Sequence, residues 1–384
     1  MIIGFDAKRA VRNNTGLGNY SRLVVDSLAR RFPDNSYRLY TPTVRENDRL
    51  TPVVALDNVE LCLPEPKGWR CISSIWRSKG IIGQLKREGV GLYHGLSNEL
   101  PFGINNSGVP SVVTIHDLIF IPFPQFYSNR IDVAIYNYKF RRACREASRI
   151  IAVSQCTKRD IVQYYGIDPD KIDVVYQGCH QNFARQYSPA ELAECASQYA
   201  LPQKFVLYVG SIEVRKNLLL AVKALELLPS DIHLVAVGRP MPYFEQVKKY
   251  IDGHSLAHRV HFFHNMPFAD LPKMYHLAQV FVYPSRYEGF GIPMLEAATC
   301  GTPAIGATGS CLEEAGGPAA RFIDPDNHRA LADEIADIVG NQDAIRPAVA
   351  AAGARFARNF SHNSMADNIF ATYEKVLAQY RLTR

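Results

Sequence analysis

The stretch Tyr283-Pro284-Ser285-Arg286-Tyr287-Glu288-Gly289-Phe290-Gly291-Ile292-Pro293-Met294-Leu295-Glu296-Ala297-Ala298-Thr299-Cys300-Gly301 reads as a glycine-rich loop and a helix behind a short apolar strand, Val280 to Val282. Gly289 and Gly291 let backbone N–H groups come close to a ligand, and the helix behind them offers its positive end to a phosphate. Two carboxylates, Glu288 and Glu296, stand eight positions apart, one before the loop and one on the helix. Carboxylates accept hydrogen bonds from sugar hydroxyls, whereas N–H groups suit phosphate oxygens. A site offering both suits a nucleotide sugar. On spacing alone, a strand–turn–helix unit with two solvated glutamates reads equally well, because short glycine motifs are weak signals.

Outward from this stretch, short β-branched runs alternate with longer helical patterns. Strands are expected over Ile2–Phe5, Ser36–Tyr40, Leu92–His94, Ser111–Ile115, Ile150–Val153 and Ile172–Val175. A second series runs over Phe205–Val209, His233–Val237, Val260–Phe263, Val280–Val282, Thr302–Ile305 and Ala320–Ile323. Helical patterns lie between them, including Asn19–Arg31, Ile131–Glu146, Met294–Cys300 and Ser364–Arg381. Such alternation implies α/β domains with doubly wound parallel sheets. The two series break around residues 181–203, so the expected domains are 1–185 and 186–363. Two Rossmann-like domains would face each other across a cleft at the carboxyl ends of their strands.

Bulk properties bound the rest. A chain of 384 residues is too long for one ordinary core. No run of 18 apolar residues suggests a spanning helix. The N-terminus reads as a first strand without a basic leader, so a cytoplasmic location is expected. The eight cysteines are scattered without C-x-x-C spacing and read as reduced thiols. The net charge of +6 is uneven: residues 1–189 hold 25 Lys+Arg against 17 Asp+Glu, while residues 190–384 hold 18 against 20. A basic half suits a pyrophosphate-bearing acceptor or an anionic membrane, or is a set of solvated helix faces. No interleaved aromatic platform or recognition helix points to nucleic acid.

The remaining segments of the quoted stretch, E-G-F-G-x-P-x-L-E-A, resemble the E-x7-E signature of retaining glycosyltransferases of family four, the group 1 transferases. The resemblance implies the GT-B architecture, with the last helix, 364–384, packing back on the N-terminal domain. It implies that Glu288, with the backbone of Gly289, Phe290, Gly291 and Ile292, holds donor sugar hydroxyls, and that Glu296 holds the ribose. Gly210-Ser211-Ile212-Glu213-Val214-Arg215-Lys216-Asn217 resembles the family's R-K-N element, whose cations bind the donor pyrophosphate. The family's arginine after the glycine is Ser211 here, which leaves Arg215 to supply the missing cation. Fixed Arg and Lys can stabilise a departing diphosphate without a metal.

In the first half, Gly16-Leu17-Gly18 precedes a helix but lacks the third glycine of a dinucleotide fingerprint. The resemblance places it beneath the donor phosphates, and a plain turn is the alternative. Thr114-Ile115-His116-Asp117 ends an apolar run. The resemblance puts His116 beside the transferring hexose, with Asp117 orienting it or approaching the acceptor. His94 reads as acceptor-side or supporting. His261 to Met266 falls where the family's backbone holds the base. Asp168-Pro169-Asp170 and Asp324-Pro325-Asp326 look like metal-chelating pairs, but proline there favours turns and capping. No metal and no cofactor is expected.

The reading is a metal-independent retaining hexosyltransferase. Its expected donor is GDP-mannose and its acceptor a saccharide or polyprenyl-linked saccharide of a bacterial surface polysaccharide, with possible peripheral contact to an anionic membrane. dTDP-rhamnose and UDP-hexoses remain open as donors. A GT-B epimerase or phosphorylase and a non-catalytic nucleotide-sugar-binding protein are the rivals.

Overall fold

The computed structural model describes residues 1–382 apart from Asn14, Glu46 and Ser128, and apart from the side chains of Arg70, Cys71 and Ser73. The chain divides into two compact units. The first holds Met1–Gly178 together with the residues from His362 on, and the second holds Cys179–Ser361. The expected boundary at 185/186 therefore falls inside the second unit. The reason is Phe183, which is fully buried, packs edge-on against Phe268 and Tyr275, and accepts from the Cys300 thiol through its carbonyl.

In the first unit, β1 (Ile2–Asp6), β2 (Ser36–Tyr40), β3 (Val59–Cys62), β4 (Leu92–Gly95), β5 (Ser111–Ile115), β6 (Arg149–Ala152) and β7 (Ile172–Val174) form one parallel sheet. Its order is β3-β2-β1-β4-β5-β6-β7. In the second unit, β8 (Phe205–Val209), β9 (His233–Val237), β10 (Val260–Phe263), β11 (Val280–Tyr283), β12 (Ala304–Ala307) and β13 (Arg321–Ile323) form another, ordered β10-β9-β8-β11-β12-β13. Central strands such as Phe205-Val206-Leu207-Tyr208-Val209 are buried along their whole length, as continuous β-branched and aromatic runs must be when helices cover both faces. Each order reverses once, between β1 and β4 and between β8 and β11. Those reversals are where loops diverge and leave a ligand crevice at the carboxyl ends of an open sheet.

One face of the first sheet packs on helix Gly16–Arg31 and on the last helix, His362–Leu382. Met365, Ile369, Tyr373 and Val376 bring the last helix's apolar stripe into that core beside Val24, Val25 and Leu28. Leu85, Phe140, Ile150 and Ile161 belong to the cluster on the other face. In the second unit, helices Leu218–Leu225 and His328–Gly340 contribute to a core with β8, β9 and β11.

The structure adds elements that the sequence pattern did not mark. Helix Pro189–Gln198 starts at a full capping box, Ser188 with Glu191, inside the segment read as a crossing. Helix Gln342–Ala357 carries Pro347 and a run of alanines, so it has no strong apolar stripe. It packs through small residues: a Cβ on Gly353 would stand 2.1 Å from the Ala298 carbonyl oxygen. Strand β3 is a short edge strand with an exposed residue in it. Among the described residues, no helix is long and apolar enough to cross a membrane.

Candidate functional site

The loops after β8 and β11 leave the sheet side by side at the second unit's reversal point. Gly210 ends the first strand with φ of 152°, and its carbonyl lies against Gly238, where a Cβ would stand 1.8 Å away. Only glycine allows this backbone crossing. The chain then makes one tight turn, Val214–Lys216, and Asn217 follows in the left-handed region at φ 57°. Asn217 tolerates that conformation, and its side-chain amide donates to the Pro325 carbonyl at 2.7 Å. The result fixes Arg215 and Lys216 at the mouth of β8.

Glu288 is held from four sides. Arg215 Nη1 lies 2.7 Å from Glu288 Oε1, and the hydroxyls of Tyr283 and Ser285 each donate to the same oxygen at 2.8 Å. The Cys311 thiol donates to the Glu288 carbonyl at 3.0 Å. Burial alone would push this carboxyl up. Arg215 and then Lys216, with the hydrogen bonds from Arg215 and Tyr283, hold it down at about 2, so it is ionised at neutral pH. Tyr283 and Ser285 have alternating positions at the end of a strand, two residues apart on one face. That periodicity inside the quoted stretch was the signal for them.

Arg215 has further partners besides Glu288. Its Nη1 also donates to the Tyr287 carbonyl at 2.6 Å, and its Nη2 pairs with Glu213 Oε1 at 2.8 Å. A guanidinium engaged by two carboxylates and a carbonyl anchors Glu288. Ser211 itself is half-buried, and its carbonyl accepts from the Tyr208 hydroxyl at 3.2 Å. Lys216 follows at the mouth of the same strand. Its ammonium packs over Gly210 and 5.5 Å from the Tyr283 ring. Its charge pulls down both the Glu288 and the Glu296 carboxyls, so it stands within electrostatic reach of each.

Gly291 begins the helix Ile292–Cys300 in the left-handed region, φ 94°, and a Cβ there would meet Leu312 at 2.5 Å. Phe290 buries its ring beside Phe360, leaving its backbone as the part that can meet a ligand. Glu296 sits one turn in, buried, and accepts from the Tyr275 hydroxyl at 2.8 Å. Burial pushes its carboxyl up to about 7 against that hydrogen bond and against Lys216. The second unit thus gathers Lys216, Glu288, the Gly289–Ile292 backbone and Glu296, with one glutamate charged and the other poised near neutrality.

The first unit forms its own constellation. His116 follows β5 and is nearly enclosed, with its Nε2 donating to the Leu96 carbonyl at 2.9 Å and its backbone N–H donating to Asn98 at 2.7 Å. Burial lowers its pKa to about 4, so the ring is neutral with Nδ1 as its acceptor. The Leu96 carbonyl holds the imidazole, and Asp117 Oδ1 accepts from the Ile119 N–H. His94 is no acceptor-side group. It has no exposed surface, and its ring nitrogens pair with the Tyr373 hydroxyl at 2.6 Å and the Thr114 hydroxyl at 2.8 Å, tying the last helix to the sheet. Gly16, Leu17 and Gly18 are the first turn of a helix instead of a loop. A Cβ on Gly18 would stand 1.7 Å from the Asn13 carbonyl oxygen, so packing requires that glycine.

The two aspartate pairs are turns. Asp168 accepts from the Asp170 N–H and Asp324 from the Asp326 N–H, while Asp326 pairs with Arg286. In the segment expected near the base, His264 Nδ1 donates to the Gly238 carbonyl at 2.9 Å.

Known proteins resemble this chain in sequence and in fold. A family model described as glycosyl transferases group 1 matches residues 196–355, and one described as glycosyltransferase family 4 matches residues 18–182. The O-antigen chain mannosyltransferase B of Escherichia coli is 27% identical over 288 residues, which cover 74% of each chain. The O-antigen chain mannosyltransferase RfbU of Salmonella typhimurium is 24% identical, over 61% of this chain and 62% of its own. Anabaena HepE, solved with UDP and glucose, superposes with a TM-score of 0.72 at 19% identity over 97% of this chain and 99% of that one. These matches together span most of both units, and the chain belongs to the group 1, family 4 glycosyltransferases.

Proposed function

We propose that this glycosyltransferase moves mannose from GDP-mannose to a hydroxyl of a saccharide or polyprenyl-linked saccharide in bacterial O-antigen or related surface-polysaccharide synthesis. The observation that carries the reading is the Lys216 ammonium 5.5 Å from the ring of Tyr283, whose hydroxyl donates to Glu288, with Glu296 buried on the adjoining helix at the reversal point of the second sheet. A diphosphate beside Lys216 would have a sugar hydroxyl partner in Glu288 and a ribose partner in Glu296. The O-antigen mannosyltransferase relatives support the mannosyl donor and the acceptor class. The structure of Anabaena HepE with UDP-glucose supports a UDP-hexose as the second choice.

Transfer breaks the bond between the anomeric carbon and the diphosphate oxygen and forms one from the acceptor oxygen to the same carbon. The acceptor proton goes to the departing phosphate, on the retained face. Glu288, occupied by Arg215, Tyr283 and Ser285, is positioned as a hydrogen-bond acceptor and not as a free nucleophile. Lys216 takes up the charge that develops on the diphosphate, a role a fixed cation fills without a metal.

The test is nucleotide release from GDP-, UDP-, dTDP- and ADP-sugars in EDTA, wild type beside Glu288→Ala. Release from GDP-mannose, lost in the variant, is the expected result. Release that needs added metal, or none from GDP-mannose beside clear release from another donor, overturns the corresponding part. Arg215 gives a separate expectation. In Arg215→Met, Glu288 loses its nearest cation and burial raises its pKa, so turnover should acquire an acid limb above about pH 5. Arg215→Lys should restore part of the wild-type profile. A pH profile unchanged in Arg215→Met would remove the anchoring role.

A further inference from the structure

We propose that Tyr275 is a positioning residue for the donor nucleotide: its hydroxyl holds one oxygen of Glu296 and leaves the other to accept from the ribose. Among the described residues the Glu296 carboxyl has one hydrogen-bond partner and no ion pair. That partner is the Tyr275 hydroxyl, which donates to Oε2 at 2.8 Å. Oε1 therefore has no partner among them. Glu288 differs, since Arg215, Tyr283 and Ser285 all converge on its Oε1. A residue only 8% exposed, with one carboxyl oxygen unpartnered, bears a desolvation cost that a ligand hydroxyl offsets. The identity of that ligand as a nucleotide rests on the transferase reading.

Tyr275 and Glu296 lie on different helices, Leu271–Leu277 and Ile292–Cys300, so the bond fixes the carboxyl from outside its own helix. The tyrosine is itself held. It has no exposed surface, and its ring centroid lies 5.7 Å from that of Phe183, edge-on, and 5.1 Å from that of Phe281. Its carbonyl accepts from the Thr302 hydroxyl at 2.7 Å. The Pro293 carbonyl stands farther from the phenol oxygen, at 3.4 Å, so the single phenolic proton goes to Glu296. Burial and then Glu296 push the phenol well above its ordinary range, so it remains a donor at neutral pH. Fixing a long glutamate side chain before the ligand arrives removes an ordering cost from binding.

Among the described residues, the titratable groups coupled to Glu296 are Tyr275, Lys216 from the turn after β8, and the thiols of Cys179 and Cys300. Burial holds both thiols well above their ordinary range, so they are neutral. Tyr275 and Lys216 both favour the ionised carboxyl against burial. Removing the hydroxyl while keeping the ring leaves burial less opposed. Glu296 then keeps its proton to higher pH, where it is the weaker acceptor.

The experiment is calorimetric titration of the full chain with GDP and with its dideoxy analogue, which lacks both ribose hydroxyls, across neutral pH. UDP and its dideoxy analogue form a second pair. The proteins are wild type, Tyr275→Phe, Glu296→Gln and the double variant. Tyr275→Phe should weaken GDP about tenfold at neutral pH, leave the dideoxy affinity unchanged, and move the rise of GDP affinity with pH upward. In the Glu296→Gln background it should add less than about twofold. The same pattern on the UDP pair would change the donor and support the positioning role. Tyr275→Phe that binds like wild type, or that weakens both members of a pair equally, overturns the proposal. Absence of nucleotide binding in every form counts against the transferase reading, and the pair is then read without ligand from denaturant unfolding against pH. A Glu296-dependent loss of stability that moves to higher pH in Tyr275→Phe supports the positioning role, and one that stays in place overturns it.

Discussion

Glu288→Gln is expected to lower donor turnover by about 10²–10³-fold, the scale seen when one preorganised electrostatic contact to a transition state is removed. The substitution keeps the volume and leaves Tyr283 and Ser285 a carbonyl oxygen to donate to. It removes the charge that pairs with Arg215 at 2.7 Å. Leaving a buried guanidinium with one carboxylate fewer should also cost on the order of 3 kcal/mol, so turnover must be measured where both proteins remain folded. Glu213→Gln is the control, because it removes the other carboxylate on Arg215 and leaves the Glu288 contact in place. It should cost stability with a much smaller loss of turnover. Glu288→Gln with turnover within about threefold of wild type would remove Glu288 from the reacting site.

The second large effect concerns Glu296 and appears as stability against pH. Its folded-state pKa is about 7, above the ordinary glutamate value of 4.5. Below pH 4.5 the carboxyl is protonated in both states and contributes nothing. Between 4.5 and 7 the unfolded chain ionises while the folded one holds its proton, so folding becomes less favourable as pH rises. Above 7 the loss is constant, at about 3 kcal/mol for a gap of this size. Glu296→Gln abolishes that penalty and should stabilise the second unit by about this amount at pH 8 and hardly at all at pH 4. Denaturant unfolding at the two values measures it, and an equal gain at both would refute the burial argument. Glu288 has the opposite sign: its lowered pKa stabilises above 4.5 and that contribution fades as pH falls toward 2. The same Glu296→Gln change should weaken donor binding above pH 7, because an ionised carboxylate is the stronger acceptor for a ribose diol.

The sequence made the strand–loop–helix unit from Val280 to Cys300 legible because a buried β-run, two glycines and an apolar helix have different periods within a few residues of each other. The same contrast marked nearly every central strand. Strand β3 escaped because an edge strand need not be apolar throughout, and helix Gln342–Ala357 because its contacts use the absence of side chains, as at Gly353. At the site, Glu288, Glu296 and Lys216 were singled out by the resemblance of their segments to family motifs, since spacing alone fitted two solvated glutamates equally well. The partner of Arg215 was not, since a cation beside a glycine loop has the same appearance whether it faces a ligand or a carboxylate from a distant loop. The partner of His94 was hidden for a similar reason: Tyr373 lies 279 positions along the chain.

The order of the units along the chain has a consequence for biosynthesis. The second unit is one uninterrupted span, Cys179–Ser361, set between the two parts of the first. As the polypeptide leaves the ribosome, the second sheet has all its strands before Met365, Ile369, Tyr373 and Val376 have been made. The unit that begins first is therefore finished last, with Val24, Val25 and Leu28 waiting uncovered while the intervening span emerges. A chain stopped after Ser361 would release a complete second unit attached to an unfinished first one, and chaperone demand during synthesis should concentrate on that open apolar face.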